Sequence, residues 1–196
     1  MFGVNTKRAL VAAPGFILVA SAGAQLSPKP LSASIGLNYL QAGSLGGATS
    51  HDGWLGAIGY HFTQPRSYAK SVDTSLEFWW AQHNGQGNKF SNYGLFAMGR
   101  TPFSNTNMHS SGFVPYYGAG IGIVRDEFIG QPPVVTSAAR VLSSTSGSVS
   151  KWTMGEKLLV GAMLNQTWFV EGGYNWNGSI GGSSCDSWSV SVGVRF

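Results

Sequence analysis

The feature that most constrains this chain is a period of two, which recurs in eight segments of about ten residues and is never replaced by a helical period. The last segment is the cleanest. Trp188, Val190, Val192, Val194 and Phe196 alternate there with Ser189, Ser191, Gly193 and Arg195. Residues of the first kind suit an apolar face of a pleated strand, and those of the second suit its polar reverse. The same alternation runs through Leu31–Leu40, Gly53–Thr63, Ser71–Gln82, Phe113–Val124 and Trp168–Trp176. In Phe90–Arg100 the phase is blurred, because Phe96 falls on the more polar side. In Trp152–Leu164 either phase leaves Glu156 or Lys157 on the apolar side.

A half-apolar strand of a soluble protein shows water its charged face, and this chain has little charge to show. Only 10% of its 196 residues are charged, while 13% are aromatic and 28 are glycine. Much of the surface is therefore expected to face something other than water. A tilted strand of about 9–11 residues crosses a hydrocarbon core, and every backbone N–H and C=O inside that core must be paired. Only a closed barrel does this with strands. The expected fold is all-β: an eight-stranded antiparallel up-and-down transmembrane β-barrel, with the Val- and Trp-bearing sides on lipid and the Gly-, Ser- and acid-bearing sides inward.

The connections then sort to two sides. Gly43–Ser50, His83–Lys89, Arg125–Lys151 and Asn177–Asp186 are the expected outer loops; Gln64–Lys70, Thr101–Gly112 and Asn165–Gln166 are the expected periplasmic ones. Trp54, Trp80, Trp152, Trp176 and Trp188 fall at outer strand ends, and Phe62, Trp168 and Phe196 at inner ends, where interfacial aromatics belong. The N-terminus reads as an export signal. Lys7 and Arg8 precede an apolar run from Ala9 to Ala20, and Ala22-Gly23-Ala24 offers a small-x-small cleavage site. Residues 1–24 are expected to be the signal peptide and 25–196 the barrel domain.

The sequence resembles the small OmpA-like outer-membrane β-barrel proteins. The resemblance rests on the export signal, on Pro115-Tyr116-Tyr117-Gly118-Ala119-Gly120-Ile121-Gly122, and on the alternating ending from Val190 to Phe196. It implies residence in a Gram-negative outer membrane and a terminal strand whose Val192, Val194 and Phe196 are read by the barrel-assembly machinery. The sequence stops at Phe196, so a barrel without the peptidoglycan-binding domain of the full-length namesake is expected.

Five charged residues fall on the inward faces: Asp73, Glu77, Arg100, Glu171 and Arg195. An eight-stranded barrel is just wide enough for side chains to fill, so such charges must pair. Asp73 and Arg100 come to nearly the same depth on neighbouring strands, and an interior ion-pair network that plugs the lumen is expected. No His, Ser or Cys is clearly placed with them for catalysis. Inward Gly118, Gly120 and Gly122 make room for bulky partners such as Trp79 and Tyr116 rather than a phosphate loop, which needs a following helix. His51, His61, His83 and His109 lack ligand spacing, and His51 and His83 read as exposed loop residues. Cys185, the single cysteine, reads as a tolerated loop residue.

No catalytic, cofactor-binding or metal-binding residue is expected. The function indicated is a non-enzymatic barrel with a structural or surface-interaction role. Its partners are outer-membrane lipid and lipopolysaccharide, with a surface partner met through loop 125–151. A net charge of +4 without any basic run argues against nucleic acid. The alternatives are a small low-conductance pore, a soluble barrel of reversed polarity, and a lipid A-modifying barrel enzyme. The deacylase form of the last would show His-x-Ser-Asn, and His109-Ser110-Ser111-Gly112 comes nearest.

Overall fold

The computed structural model describes residues 25–41, 49–63, 72–85, 87–104, 112–130, 147–180 and 183–196; the expected leader, 1–24, and His109–Ser111 lie outside them. Ten strands follow in chain order: β1 (Gln25–Leu40), β2 (Asp52–Thr63), β3 (Asp73–Gly85), β4 (Asn88–Pro102), β5 (Val114–Gly130), β6 (Gly147–Met163), β7 (Trp168–Trp176), β8 (Ser179–Ile180), β9 (Ser183–Ser184) and β10 (Ser187–Arg195). All but β8 and β9 form one closed antiparallel barrel in which each strand pairs with its chain neighbour and β10 closes on β1. The seam is pinned at its periplasmic end by Leu31 N–H to Phe196 O at 3.1 Å and Phe196 N–H to Leu31 O at 2.9 Å.

The register sets the width and tilt of the barrel. Followed across β1, β10 and β7, the pairing of Trp54 arrives at Val160 on β6; followed across β3, β4 and β5 it arrives at Ser150, ten residues away. A stagger of this size in eight strands tilts them by about 35–45° and leaves an interior that side chains fill. Spreading the stagger evenly brings Tyr39, Trp54, Trp80, Tyr93, Trp176 and Trp188 to one height. Trp54 meets Trp80 edge-on at 6.4 Å, and Tyr174 bridges Trp176 and Trp188 at 4.6 and 4.7 Å. Trp152 stands about three residues above this ring, so it caps a taller part of the wall and does not belong to the girdle as expected. Phe62, Trp168 and Phe196 join Phe103 and Phe113 at the other end.

Between the two rings the outside is apolar, with Ile35, Ile121 and Val190 each more than half exposed, while Trp79, Phe96, Met98 and Leu159 are buried inside. The two ambiguous strands settle as follows. Phe96 points inward, where the bare backbone of Gly122 faces it across the β4–β5 pair. Lys157 is also inward, and Glu156 is exposed beside Trp176 at the height of the outer ring, where its carboxylate reaches headgroups and water.

Several connections differ from expectation because strands outrun the alternating core of their sequences. His83–Lys89 is not a loop: β3 and β4 pair as far as Gly85 and Asn88, and Gly87 turns the hairpin with φ 78°. The segment Arg125–Lys151 begins and ends as strand, since β5 reaches Gly130 and β6 starts at Gly147. Thr101 and Pro102 belong to β4. Gly118, Gly120 and Gly122 lie opposite Arg100, Met98 and Phe96 rather than making room for Trp79 and Tyr116.

A methyl group at Gly122 would lie 2.2 Å from the Leu95 carbonyl and 2.8 Å from the Phe96 ring, whereas one at Gly172 meets nothing closer than 3.8 Å. Gly122→Ala is therefore expected to destabilise the barrel by about 1–3 kcal/mol through overpacking. Gly172→Ala is expected to stay within about 0.5 kcal/mol of the parent. Urea titration of both variants in phospholipid vesicles measures the contrast; equal stabilities would contradict it.

Candidate functional site: the lumen and its outer mouth

The inward charges gather into two balanced groups. Arg100 on β4 donates from Nε to Glu171 Oε1 at 2.7 Å, from Nη2 to Glu77 Oε2 at 2.8 Å and from Nη1 to Ser75 Oγ at 2.8 Å. Lys157 on β6 reaches Glu77 Oε1 at 2.7 Å, and the Tyr116 hydroxyl donates to Glu171 Oε1 at 3.0 Å. This group holds two cations and two carboxylates, all buried. The second group lies nearer the periplasm, where Arg195 Nη2 donates to Asp73 Oδ2 at 2.5 Å. Asp73 and Arg100 are cross-strand neighbours as the sequence places them, but each spends its charge on a different partner.

His61 and Ser32 complete the second group, and here the sequence reading is corrected. His61 Nδ1 lies 3.0 Å from Asp73 Oδ2 and its Nε2 lies 2.8 Å from Ser32 Oγ. Serine, histidine and aspartate in this order form the relay of a nucleophilic hydrolase. All three residues, however, are at most 5% exposed. The relay reads as a hydrogen-bonded brace. Higher in the lumen an enclosed space of about 10 Å³, bordered by Ser34, Trp79, Lys157 and Ser191, has room for about one water.

The outer mouth is closed by a second, apolar layer. The short β8–β9 hairpin folds over it, tied by Cys185 N–H to Gly178 O at 2.9 Å, and Ile180 and Cys185 pack with Leu40, Phe90 and Phe128. Cys185 is fully buried, so it is a packing residue of this cap and not merely the tolerated loop residue expected. His83 is buried as well, not exposed, with Nε2 2.8 Å from Asn38 Oδ1; Asn38 donates in turn to Ser187 Oγ at 3.0 Å. His51 Nδ1 lies 3.4 Å from Leu40 O. Asp126 enters the cap from β5, about three residues above the aromatic ring and so outside the membrane-spanning part of its strand. Asn92 Nδ2 donates to its Oδ1. Burial raises the Asp126 carboxyl to about 7 and also pushes the Cys185 thiol upward.

Solved structures match this architecture. Neisserial surface protein A superposes with a TM-score of 0.53 at 16% identity, over 84% of this chain and 94% of that one. The N-terminal β-barrel domain of Pseudomonas aeruginosa OprF gives 0.52 at 12% identity, over 86% and 98%. Ail, the attachment invasion locus protein of Yersinia pestis, gives 0.53 at 13%, over 85% and 97%. The fold is that of the small outer-membrane β-barrels. No family model and no curated protein matches the sequence. At these identities the likeness carries the fold alone, and the residues must speak for the rest.

Arg100→Met leaves Glu77 and Glu171 buried with Lys157 as their one cation, an uncompensated charge that costs about 3–5 kcal/mol. Adding Glu171→Gln restores the balance and is expected to recover part of the loss; urea unfolding in vesicles reads both, and a purely additive double variant would contradict the pairing. Asp126 concerns the cap. Its carboxyl is raised above the ordinary 3.8, so the closed cap holds a proton more tightly than the open one. Cap stability is then full below about pH 4, falls as pH rises towards 7 and levels off above. Alkylation of Cys185, compared with the same reaction in Asp126→Asn, is expected to gain up to about tenfold per pH unit across that window. Parallel profiles in the two proteins would contradict it.

Proposed function

We propose that this chain is a bacterial outer-membrane barrel with a structural and surface-interaction role, working through what it displays outside rather than through its lumen. The observation that carries this reading is the filling of the interior: a balanced ion-pair layer crosses the barrel, and an apolar cap lies over its outer mouth. The belt between the aromatic rings supports residence in lipid, with lipopolysaccharide against its outer half. Val192 and Phe196 are exposed on the closing strand, where an assembly factor could reach them. The parts left to meet a partner are the upper reaches of β5 and β6, which carry the segment 125–151.

The experiments separate this reading from its rivals. The protein is expected to need detergent for extraction and to shift its gel mobility on heating. Lipid A from cells with and without it is expected to have the same mass, and a deacylated or acylated species would replace this proposal with an enzyme. In planar bilayers the parent is expected to pass no steady current. Removing the layer with Glu77→Ala, Arg100→Ala, Lys157→Ala and Glu171→Ala together is expected to produce discrete openings. Steady conductance in the parent would make it a pore.

A further inference from the structure

A run of polar contacts ties the segment after β7 to the β4–β5 wall. Asn92 on β4 donates from Nδ2 to Asp126 Oδ1 on β5, and the Asp126 carboxylate also meets the Cys185 thiol. Cys185 O in turn accepts Asn177 Nδ2 at 3.1 Å, and Asp186 Oδ1 accepts the Asn177 backbone N–H at 3.1 Å. Asn92, Asp126 and Asn177 are fully buried. Both amides are fixed in orientation, because turning either would set its oxygen against another oxygen. Asn92 Oδ1 and Asn177 Oδ1 accept no hydrogen bond among the described residues. What the run leaves over is therefore all acceptor: two amide oxygens and two carboxylates, with Asp186 near enough to Asp126 to repel it. Lys151, the cross-strand neighbour of Asp126, gives its Nζ to Ser179 O at 3.3 Å.

From this oxygen cluster we infer that the cap binds one calcium ion, held by Asp126, Asp186 and the amide oxygens of Asn92 and Asn177, and is pinned by it to the β4–β5 wall. Buried acceptors and like charges are costly unless a cation meets them. Carboxylate and amide oxygens are hard ligands, which suit calcium or magnesium rather than zinc. The described residues gather no trio of His, Cys, Asp or Glu such as zinc would need. Magnesium keeps several of its waters, for which fully buried side chains leave little room, whereas calcium takes about 6–8 oxygens in a loose geometry. Two carboxylates in an extracellular setting place the dissociation constant at about 0.1–1 mM.

The inference goes beyond the surface-interaction reading and does not depend on it. The test uses the full chain in detergent micelles, stripped of divalent ions with a chelator and held at one alkaline pH. Alkylation of Cys185 by iodoacetamide reports how often the cap opens. Calcium chloride at about tenfold over the dissociation constant is expected to slow alkylation about tenfold. Asp126→Asn is expected to lose this response, and Asn92→Leu to need at least about fivefold more calcium for half of it. Glu127→Gln, on the outer face, is expected to respond as the parent does. Heat-shifted gel mobility verifies that each variant is a closed barrel, and Asn92→Leu decides the matter should Asp126→Asn fail to close. Three results overturn the inference: calcium leaves the parent's alkylation rate unchanged; the Asp126 and Asn92 variants respond as the parent does; or magnesium at the same concentration slows the parent as much as calcium.

Discussion

Everything in this molecule follows from the requirement that no backbone amide be left unpaired in hydrocarbon. Eight strands meet it by closing on themselves, and the ten-residue stagger of that closure sets a bore that side chains just fill. Interior volume then becomes a matter of cross-strand complements. Bare β5 glycines face the bulky Phe96, Met98 and Arg100 of β4, so one wall is thin where its neighbour is thick. The outward faces are free of this constraint and follow the solvent, apolar between two aromatic rings.

The interior charges do work that the ladder cannot. Hydrogen bonds between strands link neighbours only, but Arg100 joins β4 to β7, Lys157 joins β6 to β3, and Arg195 joins β10 to β3. Each is a tie across the bore between walls that share no ladder. In a low-dielectric interior such ties are strong only when every charge is met. That condition explains why the Arg100 fork is saturated on three sides, with Ser75 taking the third. His61 stands with Asp73 for the same reason, giving Oδ2 a second partner beside Arg195, while Ser32 holds the far nitrogen of the His61 ring.

The sequence could disclose the strands, and most of their faces, because alternation is local. It could not disclose what depends on the far wall. Phe96 looked misplaced because the space that receives it belongs to glycines on β5. The phase of β6 hung on Lys157, whose partner Glu77 is eighty residues away in the chain. His61 carried a readable signal, for it lies on the inward face of its segment at the depth of Asp73, and pairing the two hairpin arms would have found it. Cys185 carried none. Its burial is made by the short hairpin of β8 and β9, residues 179–184, whose Gly and Ser composition resembles any loop.

The unequal height of the wall is the last consequence of closure. β5 and β6 are 17 residues long, while β7 and β10 are 9. A barrel whose strands all end at one level has no edge anywhere, but in one whose β5 and β6 outrun β7 the flank of β6 above Glu156 needs a partner other than β7. The chain covers part of this step with the connection that also folds over the mouth, spending Lys151 and Thr153 on it. The segment after β7 turns inward over the bore, so the placement that covers the lumen also keeps this segment from continuing the β7 ladder along β6.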